Sequence, residues 1–175
     1  HFSHVNRSQP AHTAEFAWKP PGAPSRDKES AMNQRVDSAP IDLDALLEAT
    51  DSPDAGALVV FGGTVRRHHD GKAVTAIEYS AYAPLAEKAL AEVEAEAMAR
   101  FDILSCAIRH RTGRLAVGEL SVIVVVRAAH RADAFEAGRF AIDTLKKTAP
   151  VWKREGYSDG TEVYLQGETL PGAGQ

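Results

Sequence analysis

Four basic clusters in this sequence could bind an anionic ligand, because each lies at the end of a predicted regular element. Arg66-Arg67-His68-His69 follows an apolar run, and His130-Arg131 precedes a predicted helix. Lys146-Lys147 ends that helix, and Lys153-Arg154 follows Pro150 closely. Element ends at one edge of a sheet can converge on a pocket, and bases near a helix N-terminus suit an anion. The spacing therefore predicts an anion-binding site in an α+β domain.

Each cluster also has an ordinary structural explanation. Lysines in the last turn of a helix interact favourably with the helix dipole by about 0.3–1 kcal/mol, which alone would account for Lys146 and Lys147. A run of arginines and histidines in a loop is commonly only solvated. A functional site is favoured by the convergence of several clusters, and no single cluster establishes it.

Metal and disulfide chemistry have weak support in the remaining candidate residues. Adjacent histidines on a strand point to opposite faces, and no helical His-x-x-x-His pair or carboxylate triad accompanies His68, His69, His110 and His130. We therefore predict no bound metal and no cofactor. Cys106 is the single cysteine and lies in an apolar run, which favours a buried, inert thiol over a reactive one.

The bulk composition restricts the class of protein. A length of 175 residues suits one domain, and a net charge of −4 gives no overall positive field for nucleic acid or anionic membranes. The longest apolar stretch, around Leu120 to Val126, is too short to cross a bilayer, and no signal peptide is evident. We therefore expect a cytoplasmic protein.

The elements that position the basic clusters follow from hydrophobic periodicity. Gly62 to Gly71 is predicted to be a loop, and Ala149 to Trp152 a turn. The order of strands and helices favours an α+β fold with helices against a mostly antiparallel sheet. The predicted helices cover residues 41–48, 84–101 and 133–147, and the predicted strands cover residues 57–61, 74–82, 103–111, 120–127 and 161–166.

Residues 1–40 differ from the rest of the chain in composition. They contain five of the nine prolines and show no apolar periodicity. Such a segment cannot bury enough apolar surface to offset its ordering entropy, so we predict a disordered extension over 1–40 and a folded domain over 41–170. Met32 is a candidate for the true start of the protein. Deletion to Met32 or to Pro40 is then expected to leave stability and activity unchanged.

Three spaced blocks of residues resemble the large, catalytic subunit of molybdopterin synthase. The first runs from His130 to Gly138, the second is Asp143-x-Leu145-Lys146, and the third runs from Ala149 to Glu155. Shorter matches are Gly63-x-Val65-Arg66-x-His68 and the segment from His110 to Glu119. The matches are collinear between about Leu43 and Glu168, which makes the resemblance specific.

The resemblance implies a fold, a set of partners and a reaction. The fold would be an α/β hammerhead-type domain with an additional antiparallel sheet, in a homodimer that forms part of a heterotetramer. A small ubiquitin-like sulfur-carrier subunit would insert its C-terminal Gly-Gly thiocarboxylate into a pocket of each large subunit. There a sulfurtransferase reaction would place two sulfurs on cyclic pyranopterin monophosphate (precursor Z), forming the dithiolene of molybdopterin in molybdenum-cofactor biosynthesis.

The resemblance also implies roles for individual residues. Lys146 and Lys153 match the two catalytic lysines, which could act as acid, base or transient nucleophile and stabilise developing negative charge. Arginines can hold the phosphate of the substrate in bidentate fashion. The substrate-binding residues implied by the match are Arg66, His130, Arg131, Lys146, Lys153, Arg154 and Glu155.

Two other functions stay open on the sequence. A non-catalytic module could bind a ubiquitin-like partner tail without chemistry, in which case both lysines could be lost without consequence. An unrelated enzyme with a phosphate-bearing ligand could use the same basic pocket.

Overall fold

The computed structural model describes residues 34–165, which form two β-sheets and three α-helices. The predicted α+β class with an additional antiparallel sheet is confirmed. None of these helices combines the length and apolarity needed to cross a membrane. The helices are α1 (Leu43–Ala49), α2 (Ala83–Arg100) and α3 (Arg131–Thr148). The strands are β1 (Val36–Asp37), β2 (Ala57–Thr64), β3 (His68–His69), β4 (Lys72–Ala81), β5 (Ser105–Arg111), β6 (Gly113–Ala116), β7 (Leu120–Ala128), β8 (Val151–Tyr157) and β9 (Glu162–Leu165).

The first sheet has the strand order β1-β5-β7-β2, with β1 parallel to β5 and the other pairs antiparallel. Val124 and Val126 of β7 belong to the core shared with α2 and α3. Ile123 and Val125 lie in a second cluster with Leu46 of α1. Helices therefore cover both faces of this sheet, which explains why β7 is a continuous apolar run with no polar alternation.

The predicted helices are confirmed, with ends that differ by one or two residues. α2 begins with a proline in its first turn and buries Ala86, Leu90, Val93 and Ala97 at helical spacing. α3 packs a stripe of small residues against the first sheet, and a Cβ added at Gly138 would lie 3.3 Å from Val59 Cγ1. This close packing holds α3, whose last turn carries Lys146, against the first sheet.

The second sheet is built around β4, which pairs antiparallel with β3, β6 and β8, while β9 extends it beyond β8. Its buried face carries a separate small core of Val65, Val74, Ile77, Leu115 and Tyr157. In the register of β4 and β8, Tyr79 lies opposite Lys153 and Ile77 opposite Glu155. Because side chains alternate along a strand, these four residues share one face of the sheet.

The predicted loop from Gly62 to Gly71 is wrong over much of its length. β2 continues through Gly62-Gly63-Thr64, and His68-His69 forms β3 of a hairpin whose turn is at Asp70 and Gly71. A Cβ at Gly63 would lie 2.6 Å from Val122 Cγ1, so the glycine permits a close approach of β2 to β7 and does not end the strand.

The predicted turn from Ala149 to Trp152 is also wrong in part, because β8 begins at Val151, directly after Pro150. Its charged residues conceal the strand pattern: Lys153 and Glu155 lie on one face while Trp152 and Arg154 lie on the other. The four-residue strand β6 has too few residues for a periodic pattern and was not predicted from the sequence.

The N-terminal boundary differs from the expected one at residue 40. Residues 1–33 and 166–175 lie outside the described residues, but Val36 pairs with His110 of β5 and is only 4% exposed. The Val36 backbone NH donates to Glu87 Oε1 at 2.7 Å, and Arg35 pairs with Glu94 at 2.7 Å. A two-residue strand carries no periodicity, which is why composition alone placed it outside the domain.

Candidate active site

A cavity of about 390 Å³ lies where the two sheets meet the C-terminal end of α3. The end of β2, the buried face of β4, the end of β5 and the first half of β8 supply most of its walls. Phe61, Ile77, Val122 and Leu145 give it an apolar floor. Its basic and acidic side chains are Arg66, His68, His69, His110, Lys146, Lys153 and Glu155.

The structure brings together four of the seven predicted site residues. Arg66, Lys146, Lys153 and Glu155 line the cavity. His130, Arg131 and Arg154 do not line it. The cavity therefore combines one arginine and two lysines with one carboxylate, a balance that favours an anionic ligand.

Lys146 lies in the last turn of α3, whose final backbone bond runs from the Ala149 NH to the Leu145 carbonyl at 2.9 Å. Its side chain is exposed towards the cavity. Lys147 is equally exposed but does not line the cavity, because successive residues of a helix point about 100° apart. Of the two adjacent lysines in this basic cluster, the geometry favours Lys146.

Lys153 and Glu155 point into the cavity from the same face of β8. Lys153 Nζ lies 3.3 Å from Glu155 Oε1. Glu155 is only 2% exposed, and its other oxygen, Oε2, contacts the Tyr157 hydroxyl at 2.9 Å and His69 Nδ1 at 2.8 Å. The carboxylate is thus satisfied entirely by protein groups.

Glu155 is an ionised carboxylate in this setting. Burial by itself would raise its pKa, but the hydrogen bond from Tyr157, the charge of Lys153 and the contact with His69 outweigh burial and hold the pKa below its ordinary value. Since an ionised carboxylate only accepts hydrogen bonds, the proton of the contact must be on His69 Nδ1.

Arg66 follows β2 and is placed by its neighbour Val65. Val65 is 2% exposed and bonded on both sides, from its NH to the Glu119 carbonyl and from the Gly118 NH to its own carbonyl. Within residues 34–165, Arg66 and Lys146 form no hydrogen bond or ion pair through their side chains. Both cations are therefore available to a ligand.

Arg154 faces away from the cavity. Its guanidinium forms a short ion pair with Glu78 and a second one with Glu162 at 2.7 Å, and it lies over the ring of Tyr164. Strand alternation explains this placement, since Lys153 and Glu155 on either side of it point inwards. In this geometry Arg154 does not reach the cavity, where the predicted contact with substrate would be made.

His130 and Arg131 lie at the opposite end of α3 from Lys146. His130 is the N-cap residue, Arg131 is the first residue of the helix, and both are exposed. At 1.5 Å per residue, the helix separates Arg131 from Lys146 by roughly 22 Å along its axis. A single chain therefore does not bring this pair to the cavity.

Several cavity residues were not assigned to this site from the sequence. His69 was only part of a basic cluster, and both His69 and His110 were weak candidates for metal ligands. Within the described part of the chain no group of three or more candidate ligands is arranged to hold a metal. Burial lowers the pKa of His110 despite its hydrogen bond to the Arg111 carbonyl, and its ring meets that of Tyr79 edge-on. The alternation of a hairpin at residues 68–73 is the one signal that could have placed His69 in the site.

Cys106 lies apart from the cavity on β5. Burial, together with the charge of Glu94, raises the pKa of its thiol to about 12. The thiolate, which is the reactive form, is therefore scarce at neutral pH. This agrees with the predicted inert thiol.

The chain matches the MoaE protein family over residues 36–148. It is 41% identical to a molybdopterin synthase catalytic subunit from a Nostoc species, over 73% of this chain and 78% of that one. A crystal structure of molybdopterin synthase from Staphylococcus aureus superposes with a TM-score of 0.71 and 33% identity, covering 76% of this chain and 96% of that one. A chain in the complex of subunits 1 and 2 of the Helicobacter pylori molybdopterin-converting factor shares the fold, with a TM-score of 0.63 and 22% identity over 79% of this chain and 94% of that one.

Proposed function

Because this chain belongs to the MoaE protein family, that of molybdopterin synthase catalytic subunits, we propose that its charged cavity is the site of sulfur transfer. Its activity is that of a sulfurtransferase in molybdenum-cofactor biosynthesis. The sulfur donor is the C-terminal thiocarboxylate of a small carrier subunit, and the acceptor is precursor Z. The product is the dithiolene of molybdopterin.

The placement of the bases is the observation that carries this proposal. Lys146, Lys153 and Arg66 reach one cavity from three different elements. The only carboxylate among the cavity's described residues, Glu155, is already engaged by Lys153, His69 and Tyr157. A thiocarboxylate and a phosphate both carry negative charge, so the cavity suits both reactants at once.

The lysines of the cavity also suit the chemistry of sulfur transfer. In our proposal the thiocarboxylate sulfur attacks a carbon of the substrate, and the bond from that carbon to an oxygen substituent breaks. The oxygen leaves with the bonding electrons and takes up a proton, and the carrier stays joined to the substrate as a thioester. Water then attacks the acyl carbon, and the carbon–sulfur bond to the carrier breaks. Negative charge develops on the acyl oxygen during this step, where a lysine ammonium stabilises it. The carrier departs with an ordinary carboxylate, and the sulfur stays on the substrate.

Arg66 is proposed to hold the phosphate of precursor Z. Its guanidinium is exposed at the cavity, and the described residues leave it without an ion-pair partner. A planar guanidinium matches two phosphate oxygens at once. Such a charge-assisted contact contributes about 1.5–3 kcal/mol where it is shielded from water.

The proposal includes two kinds of protein partner. The carrier subunit would enter the open side of the cavity with its C-terminal tail, and the Helicobacter pylori complex of two subunits is consistent with such an arrangement.

We further propose a homodimer in which His130 and Arg131 of a second copy complete the cavity, because they lie too far from it within one chain. A cytoplasmic location stays a prediction.

Reconstitution tests the proposed function directly. The purified chain is incubated with precursor Z and a thiocarboxylated carrier, and molybdopterin is measured after oxidation to a fluorescent derivative. We expect product with the thiocarboxylate and none with a carrier that ends in an ordinary carboxylate. Carrier binding without any product would favour the non-catalytic binding module instead. Failure to bind either reactant would favour an unrelated enzyme with a phosphate-bearing ligand.

A further inference from the structure

We propose that His69 is a positioning residue that acts on Lys153 through Glu155. The inference rests on the proposed function and extends it to a histidine to which the family resemblance assigns no role. His69 does not need to touch substrate in this role. Its task is to hold one carboxylate oxygen so that the other faces the lysine.

The two oxygens of Glu155 have different partners, which supports this role. Oε2 accepts from both His69 Nδ1 at 2.8 Å and the Tyr157 hydroxyl at 2.9 Å. Oε1 faces Lys153 Nζ at 3.3 Å. With two donors on Oε2, rotation of the carboxylate would break two hydrogen bonds, so Oε1 is held in one direction.

Because Glu155 is buried, its orientation depends on these hydrogen bonds. The Glu155 side chain is 3% exposed and depends on protein donors, whereas the Lys153 side chain is 34% exposed and has room to move. A buried carboxylate that loses one of its two donors on Oε2 is no longer held in one orientation, and its rotation carries Oε1 away from Lys153. Loss of His69 is therefore expected to change where the Lys153 ammonium lies in the cavity.

The hairpin of β3 and β4 places His69 beside Glu155. β3 comprises only His68 and His69, with His69 paired to Lys72 of β4 across a turn in which Asp70 and Gly71 have positive φ. Asp70 Oδ2 lies 3.7 Å from His69 Nε2, so both ring nitrogens have an acidic neighbour. Asp70 therefore lies near one nitrogen of the imidazole, and Glu155 is bonded to the other.

The test compares three variants in the reconstituted reaction. His69→Ala is expected to lower kcat about tenfold, the factor that corresponds to one charge-assisted hydrogen bond, with little change in the KM for precursor Z. His69→Asn places an amide near Nδ1 and is expected to recover most of kcat. Tyr157→Phe removes the other donor to Oε2 and is expected to lower kcat in the same way. Arg67→Ala, an exposed neighbour outside the cavity, serves as the control.

A structural readout separates this inference from the proposed function. In crystals of His69→Ala we expect the Lys153 Nζ to Glu155 Oε1 distance to exceed 4 Å, and in His69→Asn we expect it to stay near the 3.3 Å of the unmodified chain. Unchanged kcat in His69→Ala, or a lower kcat with the distance retained, would overturn the positioning role. A wild-type chain that forms no molybdopterin would instead overturn the proposed function, while the distances would still decide whether His69 positions Lys153.

Discussion

At the scale of the residue, the face of a strand on which a side chain lies decides whether it can serve the site. Lys153, Arg154 and Glu155 are consecutive, yet only the first and third line the cavity. The family resemblance assigned all three of these residues to the site. It could not separate Arg154 from its neighbours, because the strand that orients them was not predicted.

Replacement of Arg66 by alanine tests the phosphate contact. We expect the affinity for precursor Z to fall at least about tenfold, the lower end of what a shielded arginine–phosphate contact contributes, while carrier affinity changes little. Calorimetric titration with each ligand separately measures both effects. Arg67→Ala provides a matched control, since Arg67 is exposed and does not line the cavity. Equal losses for carrier and precursor would assign Arg66 to the protein partner.

At the scale of the element, long periodic segments were predictable and short or irregular ones were not. α2, α3 and β7 each carry an uninterrupted apolar pattern that packs into the main core, and all three were predicted within a few residues. β1, β3 and β6 have four residues or fewer, which is too short for a periodic pattern, and β1 and β6 pair with strands distant in sequence. β8 is long enough, but its inward face carries charges because it lines the cavity.

The N-terminal strand gives a prediction at this scale. Deletion through residue 33 leaves every described contact in place, whereas deletion through Pro40 removes the buried Val36 and the Arg35 partner of Glu94. We expect the longer deletion to lower the free energy of unfolding by about 2 kcal/mol or more, since a buried valine alone contributes about 1.5–3 kcal/mol. Urea denaturation of both shortened chains measures the difference. This replaces the expectation from composition that deletion to Pro40 is harmless, and equal stabilities of the two shortened chains would restore it.

At the scale of the whole molecule, one chain holds the lysines and Arg66 at one end of α3 and the His130-Arg131 pair at the other. The sequence match grouped all of them in one pocket, because alignment carries no information about which copy supplies a residue. If a second copy supplies the distant pair, then each site is shared between two chains.

Mixed dimers test this sharing. Arg131→Ala and Lys153→Ala chains, each inactive or weak alone, are co-expressed with different affinity tags, and the heterodimer is purified through both. Shared sites predict that one of the two sites contains only unmodified residues, so the heterodimer recovers about half of the wild-type rate. Sites formed within one chain predict no recovery, because each would then carry one substitution.

The central claim is that Lys146 and Lys153 carry out sulfur transfer in the cavity, and single-turnover transfer by the lysine variants tests it most directly. Sulfur is followed by mass spectrometry from an isotopically labelled thiocarboxylate to the pterin. We expect Lys146→Ala and Lys153→Ala each to slow the transfer at least about a hundredfold, the usual effect of removing a group that stabilises developing charge, with fold and carrier binding intact. Lys147→Ala, next to Lys146 but outside the cavity, is expected to transfer at the wild-type rate. Wild-type transfer by both cavity variants would contradict the account.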